Sequence, residues 1–174
     1  MRLNLPVSNA EVNLSDTETI VSTTDLQGNI TYANPYFIAI SGYRAEELIG
    51  APQNIFRHPD MPVEAFADFW ATIRSGRSWS SMVKNRCKNG DYYWVLANVT
   101  PVVEDGVAVG YMSVRTKPTR QHVAQASALY ARIKAGQAVG IALSQGAAVR
   151  TSWLARLASL RDLPLCKRIG WNLG

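Results

Sequence analysis

The sequence is short of the residues that most site chemistry needs. It has two cysteines, Cys87 and Cys166, and two histidines, His58 and His122. Neither pair has metal-ligand spacing, which argues against a zinc site, a disulfide scaffold or a histidine-based catalytic set, and fits a reducing cytosol. No glycine-rich phosphate loop, H-E-x-x-H helix or G-x-S-x-G elbow occurs, so the chain does not read as an enzyme. No apolar run approaches ~18 residues, which argues against a membrane-spanning helix. The opening MRLNLPVSNAEVNLSD lacks the apolar core of a secretory signal. Acidic residues almost vanish after Pro118. There Asp162 stands alone against Arg120, Arg132, Lys134, Arg150, Arg156, Arg161, Lys167 and Arg168.

What is present suits one folded domain with an extension. The 174 residues are 47% hydrophobic and 18% charged, and the net charge of +5 is concentrated in the tail. A basic tail on a near-neutral domain suggests an acidic partner, for which a phospholipid surface or nucleic acid would serve. Residues 1–15 are polar and unpatterned and predict an arm or a cap docked on the domain.

Hydrophobic patterning predicts the rest. The β-branched run Thr19–Asp25, the turn Gln27-Gly28-Asn29 and Ile30–Ala33 make a hairpin. Asn34 before Pro35 suits a helix cap. Helical turns follow to Gly50, and Pro62 or Val63 opens a longer helix that Gly76 stops. Three long strands come next, Trp79–Cys87, Tyr92–Val103 and Val107–Lys117, the first two joined at Asn89-Gly90. Trp79, Ser81, Val83, Asn85 and Cys87 share one face of their strand; Met82, Lys84, Arg86 and Lys88 share the other, which reads as solvent-facing. The order predicts an α+β domain over 16–118: a five-stranded antiparallel sheet with short helices on one face. A helical, basic tail over 119–174 follows. It contains Thr119–Lys134, a weakly patterned stretch from Gln137 to Ala148, and an apolar stripe from Trp153 to Leu163.

Several polar groups stand where a core would not want them. Asn85 shares a face with Trp79 and Val83, and Asn98 one with Trp94 and Leu96. Two such amides can satisfy each other at a sheet edge, or meet a planar heteroaromatic ligand that carries adjacent donors and acceptors. Trp70, Trp79 and Tyr111 suit flat apolar walls for such a ligand, or plain core packing. Arg57, His58 and Asp60 read as an ion-paired loop or as partners for a phosphate-bearing ligand tail. His58 as a haem ligand is a third possibility.

The segments TTDLQGNITYANPYFIAISGY, RHPDMP, FADFWATIRSGRSWSSMVKNRCKNGDYYWV and GYMSVRT resemble PAS sensor domains, in particular the N-terminal FAD-binding domains of bacterial aerotaxis receptors. The resemblance spans roughly Ser15 to Gly136. It implies a PAS fold, noncovalent FAD, and a redox or oxygen sensor for energy taxis rather than an enzyme. On this resemblance Asn85 and Asn98 address the isoalloxazine edge, and Trp79 lies against the ring. Arg57 and His58 serve the phosphate and adenosine side, and Asp60 holds the loop. Asn34 and Tyr111 are further carry-overs. A homodimer, a chemotaxis signalling domain in cis or a partner in trans, and a cytoplasmic location are implied. The basic tail is then membrane-proximal, with its Trp153–Trp171 segment suited to a membrane interface, and no nucleic acid is expected. Light-sensing flavin relatives carry a cysteine in a G-x-N-C-R-F motif. Here the stretch reads Gly50-Ala51-Pro52-Gln53-Asn54-Ile55-Phe56-Arg57, so no flavin–thiol adduct is expected. A PAS interaction module without cofactor and a haem gas sensor are the alternatives.

Overall fold

The computed structural model describes residues 3–151. Its main sheet comprises β1 (Ile20–Thr24), β2 (Ile30–Ala33), β3 (Trp79–Arg86), β4 (Tyr92–Glu104) and β5 (Val107–Thr116), all antiparallel, in the order β2-β1-β5-β4-β3. Between β2 and β3 run α1 (Pro35–Ser41), α2 (Ala45–Leu48), a 3-10 turn (Gln53–Phe56) and α3 (Val63–Arg74). They cover one face of the sheet, as the patterning predicts. The core between the two layers gathers Ile20, Ile30, Phe37, Leu48, Phe69, Ile73, Tyr93 and Val95, all buried.

Asn34 shows why α1 starts where it does. Its Oδ1 accepts from Phe37 N at 3.1 Å and from Val21 N at 3.1 Å, while Nδ2 donates to the Thr19 carbonyl at 2.8 Å. One side chain caps the helix and ties it to β1.

Close approach of β1 and β5 rests on Gly110. A Cβ at that position would sit 2.2 Å from the Thr24 carbonyl oxygen, a backbone atom that cannot swing away. We expect Gly110→Ala to cost about 2–3 kcal/mol or more in denaturant-induced unfolding, as overpacking against backbone does. An unchanged midpoint would show that the two strands can separate freely there.

The outer face of the sheet departs from the sequence reading. Met82 and Trp94 are not solvent-facing: α4 (Arg120–Lys134) lies over them. Its Tyr130 ring stacks on Trp94 with centroids 6.3 Å apart. Val123 and Ala126 complete this second cluster. The strand alternation holds, and the element that covers the face comes from the segment after Pro118.

Residues 3–15 dock as a cap. Ser8 N donates to Gly90 O at 2.9 Å and Val12 N to Tyr92 O at 2.8 Å. Arg120 pairs with Glu11 at 2.7 Å and Lys117 with Asp16 at 3.0 Å, which joins cap, sheet and α4. Between α4 and residue 151 the tail is not helical. β6 (Ile141–Ser144) and β7 (Ala147–Arg150) form a separate hairpin. Its two-residue turn is Gln145-Gly146, both at positive φ (53° and 87°), the conformation a tight hairpin needs. The Trp153–Leu163 stripe and the Trp153–Trp171 segment lie outside the described residues.

Candidate functional site

A cavity of about 190 Å³ opens between the inner face of the sheet and α3. Four of the nine residues singled out from the sequence line it: Arg57, Trp70, Trp79 and Asn85. Each element delivers its residue by simple geometry. Trp79, Val83 and Asn85 alternate along β3, so all three point inward. Ala97 and Val99 do the same from β4. Helix α3 supplies Phe66, Phe69 and Trp70 at helical spacing. Phe69 meets Trp70 and Trp79 edge to face, each at 5.1 Å between centroids. The wall is therefore an interlocked aromatic set of fixed orientation.

Arg57 follows the 3-10 turn in extended conformation and bridges the backbone of Asn85. The cap holds it there: Asn4 Nδ2 donates to the Arg57 carbonyl at 2.9 Å and to that of Asn54 at 2.8 Å. The Arg57 guanidinium lies 3.5 Å over the Phe66 ring. Burial pushes its pKa below the usual arginine value.

Five predicted site residues lie elsewhere, each for a physical reason. Asn98 is exposed on the outer face and accepts from Ser80 Oγ at 2.7 Å. It sits one residue out of register with the inward set Tyr93, Val95, Ala97 and Val99, and strand parity places it on the far face from Asn85. The two amides therefore do not pair with each other and lie on opposite faces of the sheet. Asn34 has all three of its hydrogen bonds committed to backbone. Tyr111 is buried behind the wall, edge-on to Trp70 at 6.0 Å. Asp60 is exposed and pairs with Lys84 at 2.6 Å, holding the loop.

His58 follows Arg57 in an extended stretch, so its side chain leaves the opposite side of the backbone. It is 3% exposed, off the cavity wall, and edge-on to Tyr92. Nδ1 accepts from Asp60 N at 3.0 Å, which leaves the ring proton on Nε2. This placement withdraws the basis for His58 as a haem ligand at the cavity. Burial, with Lys84 nearby, lowers its pKa to about 4. Unfolded, a histidine titrates near 6.5. The unfolded chain therefore binds the extra proton between those values, and stability is lost as pH falls from about 6.5 toward 4. We expect a loss on the order of 1–2 kcal/mol between pH 7 and pH 5, read by urea unfolding, and a flatter profile in His58→Gln.

The residue that sequence reasoning missed is Arg115. It is 3% exposed, lines the cavity, and lies 4.3 Å over Phe37 and 5.4 Å over Phe56. One guanidinium nitrogen donates to Ser22 Oγ. Burial brings its pKa down to about 10, so it remains charged at neutral pH. Among the described residues no carboxylate pairs with Arg115 or Arg57, and none lines the cavity. The alternation Tyr111–Ser113–Arg115 in GYMSVRT was the available clue.

The polar inventory of the wall is lopsided. Arg57 Nε and Nη2, Asn85 Nδ2 and Arg115 Nε are all buried without a hydrogen-bond partner among the described residues. All four are donors. A buried donor left unpaired costs about 1–3 kcal/mol, more when charged, and native structures hold few. Four on one aromatic-walled cavity select for a flat, acceptor-rich, anionic molecule.

Residues 30–115 match the family model described as PAS fold, and with the sheet order and cavity above the chain belongs to that family. The Aerotaxis receptor of Escherichia coli is 48% identical over 154 residues, 88% of this chain and 30% of that receptor. A Nitrogen fixation regulatory protein of Klebsiella pneumoniae is 31% identical over 83 residues, 48% of this chain and 17% of that protein. The chain thus spans less than a third of either relative. Among solved structures, the dark structure of the blue-light photoreceptor Aureochrome1 LOV superposes with a TM-score of 0.57 at 22% identity, covering 66% of this chain and 86% of that one. That likeness concerns the fold. Cys87, the one cysteine among the described residues, is off the cavity wall and donates to the Ile40 carbonyl at 3.3 Å.

Proposed function

We propose that this domain binds FAD noncovalently and serves as a redox or oxygen sensor for aerotaxis-type signalling. The observation that carries the reading is the set of four unpartnered donors within an aromatic wall. An isoalloxazine offers adjacent carbonyl and ring-nitrogen acceptors on one flat edge, and the dinucleotide tail adds phosphates. The residues present fit that chemistry. Asn85 would meet the ring's polar edge, Trp79 and Trp70 its faces, and Arg57 and Arg115 its negative charge. The likeness to the Escherichia coli Aerotaxis receptor supports the choice of FAD and of the signal.

A bound flavin supplies a reversible redox centre whose hydrogen-bonding edge changes with its proton count. Asn85 carries both a donor and an acceptor, so rotation of its amide can follow that change. Arg115 favours whichever state holds more negative charge. The resulting shift in β3 and β5 would bias docking of cap and tail. Signalling is read as passing to a second copy in a homodimer and to a chemotaxis signalling domain. The site is read as cytoplasmic, near the inner membrane.

The test is an absorbance spectrum of the full chain purified in air and without oxygen. A yellow chromophore that bleaches on reduction, and FAD in the heat-released fraction, are expected. No chromophore would turn the reading toward a cofactor-free interaction module, and a Soret band toward haem.

A further inference from the structure

One carboxylate joins the cavity wall to the element that leaves the domain. Asp68 sits on α3 and accepts from the Trp79 indole Nε1 at 2.8 Å through Oδ2. The same carboxylate accepts from two backbone amides at the tip of the β6–β7 hairpin, Gln145 N at 2.8 Å and Gly146 N at 2.7 Å. The hairpin tip is held from a second side as well. Ser81 Oγ donates to the Gly146 carbonyl at 2.8 Å and lies 3.2 Å from the Tyr130 hydroxyl, which donates to Met82 O at 2.6 Å. These contacts fall on the three residues after Trp79, along the edge of β3 that has no neighbouring strand. Contact is close: a Cβ on Gly146 would sit 1.9 Å from the Ser80 carbonyl oxygen.

We propose that Asp68 is a positioning residue that latches the β6–β7 hairpin and reports the orientation of Trp79 to it. The hairpin is the output element that carries the state of the cavity to the edge of the sheet. The physical basis is competition at one acceptor. Two oxygens share three short donors, one from the cavity wall and two from the hairpin, so a change at the indole alters the grip on the tip. Coupling of this kind is reciprocal: docking of the hairpin also fixes the indole that a ligand meets. The nature of the ligand rests on the flavin reading above, whereas the latch does not.

The experiment is hydrogen exchange on the full chain, read at Gln145, Gly146 and the peptide spanning 141–150. In Asp68→Ala we expect exchange there to rise roughly tenfold or more while the main sheet stays protected, the loss of two hydrogen bonds to a charged acceptor. Gly146→Val, which attacks the same docking from the hairpin side, should give the same release if Asp68→Ala folds poorly. Trp79→Phe keeps an aromatic wall but removes the donor. It should shift hairpin exchange severalfold, even without ligand. With flavin bound, oxidised and reduced wild-type protein should differ at the hairpin, and Trp79→Phe should abolish the difference. Hairpin exchange unchanged in both Asp68→Ala and Gly146→Val overturns the latch. Exchange unchanged in Trp79→Phe overturns the coupling. If no flavin binds, the functional reading fails, and the three ligand-free variants still decide this proposal.

Discussion

Replacing Arg115 with methionine is expected to stabilise the ligand-free domain while weakening its hold on flavin. The guanidinium is buried, charged, and without a carboxylate partner among the described residues. Its compensation is limited to Ser22 and the faces of Phe37 and Phe56. Swapping a buried charge for an apolar side chain of similar length is often neutral or stabilising by about 1–4 kcal/mol. The variant should therefore unfold at higher urea concentration when ligand-free. An acceptor-rich ligand would lose a charge-assisted hydrogen bond, so its affinity should fall roughly 10–100-fold, about 1.4–2.8 kcal/mol. The midpoint potential should also fall, by roughly 30 mV or more for a two-electron couple, because the cation no longer favours the more negative state. A variant that is less stable yet binds flavin normally would make Arg115 a structural residue.

Asn85→Leu is expected to abolish most flavin binding with little cost to the fold. Asn85 is 2% exposed and its Nδ2 has no partner among the described residues. Leucine keeps the branched four-atom skeleton, has the adjoining cavity to take its extra bulk and leaves no donor stranded, so stability should stay within about 1 kcal/mol of wild type or rise. Binding should fall roughly 100-fold, since a site built to hydrogen-bond its ligand penalises the loss strongly. Asn98→Ala is the matched control. It lies on the outer face, bonded to Ser80, and should leave affinity unchanged. Equal losses in the two variants, measured by flavin titration, would contradict the separation of the two faces.

The split between Asn85 and Asn98 marks how far a sequence can be read. Each strand's alternation was legible, and both asparagines were assigned to the correct neighbours on their own strands. Which face of β4 meets the inner face of β3 depends on register, and register belongs to the pair. Arg57 and His58 teach the same lesson over a shorter distance. They are adjacent and equally polar, yet the extended backbone sends one to the cavity and the other to the outer cluster.

Arg115 and Asp68 were missed for a different reason. Long or charged side chains are usually solvent-exposed, and strand alternation with Tyr111 is a weak local sign against that expectation for Arg115. Arg115 becomes unusual only when α1 and the 3-10 turn close over β5 and remove its water. Asp68 acquires its donors from Trp79 and from residues 77 and 78 positions further along the chain.

The sequence by itself determined the five strands, the helices between them, the cap at Asn34 and the aromatic content of the wall, because periodicity, capping and turn chemistry are local. Tertiary structure alone decided where residues 3–15 dock and that α4 covers the outer face. It also decided that residues 141–150, within the expected helical tail, form a hairpin against the edge of β3, and that four unpaired donors share one cavity. Those outcomes depend on which distant surfaces exclude water from each other, a property no single segment carries.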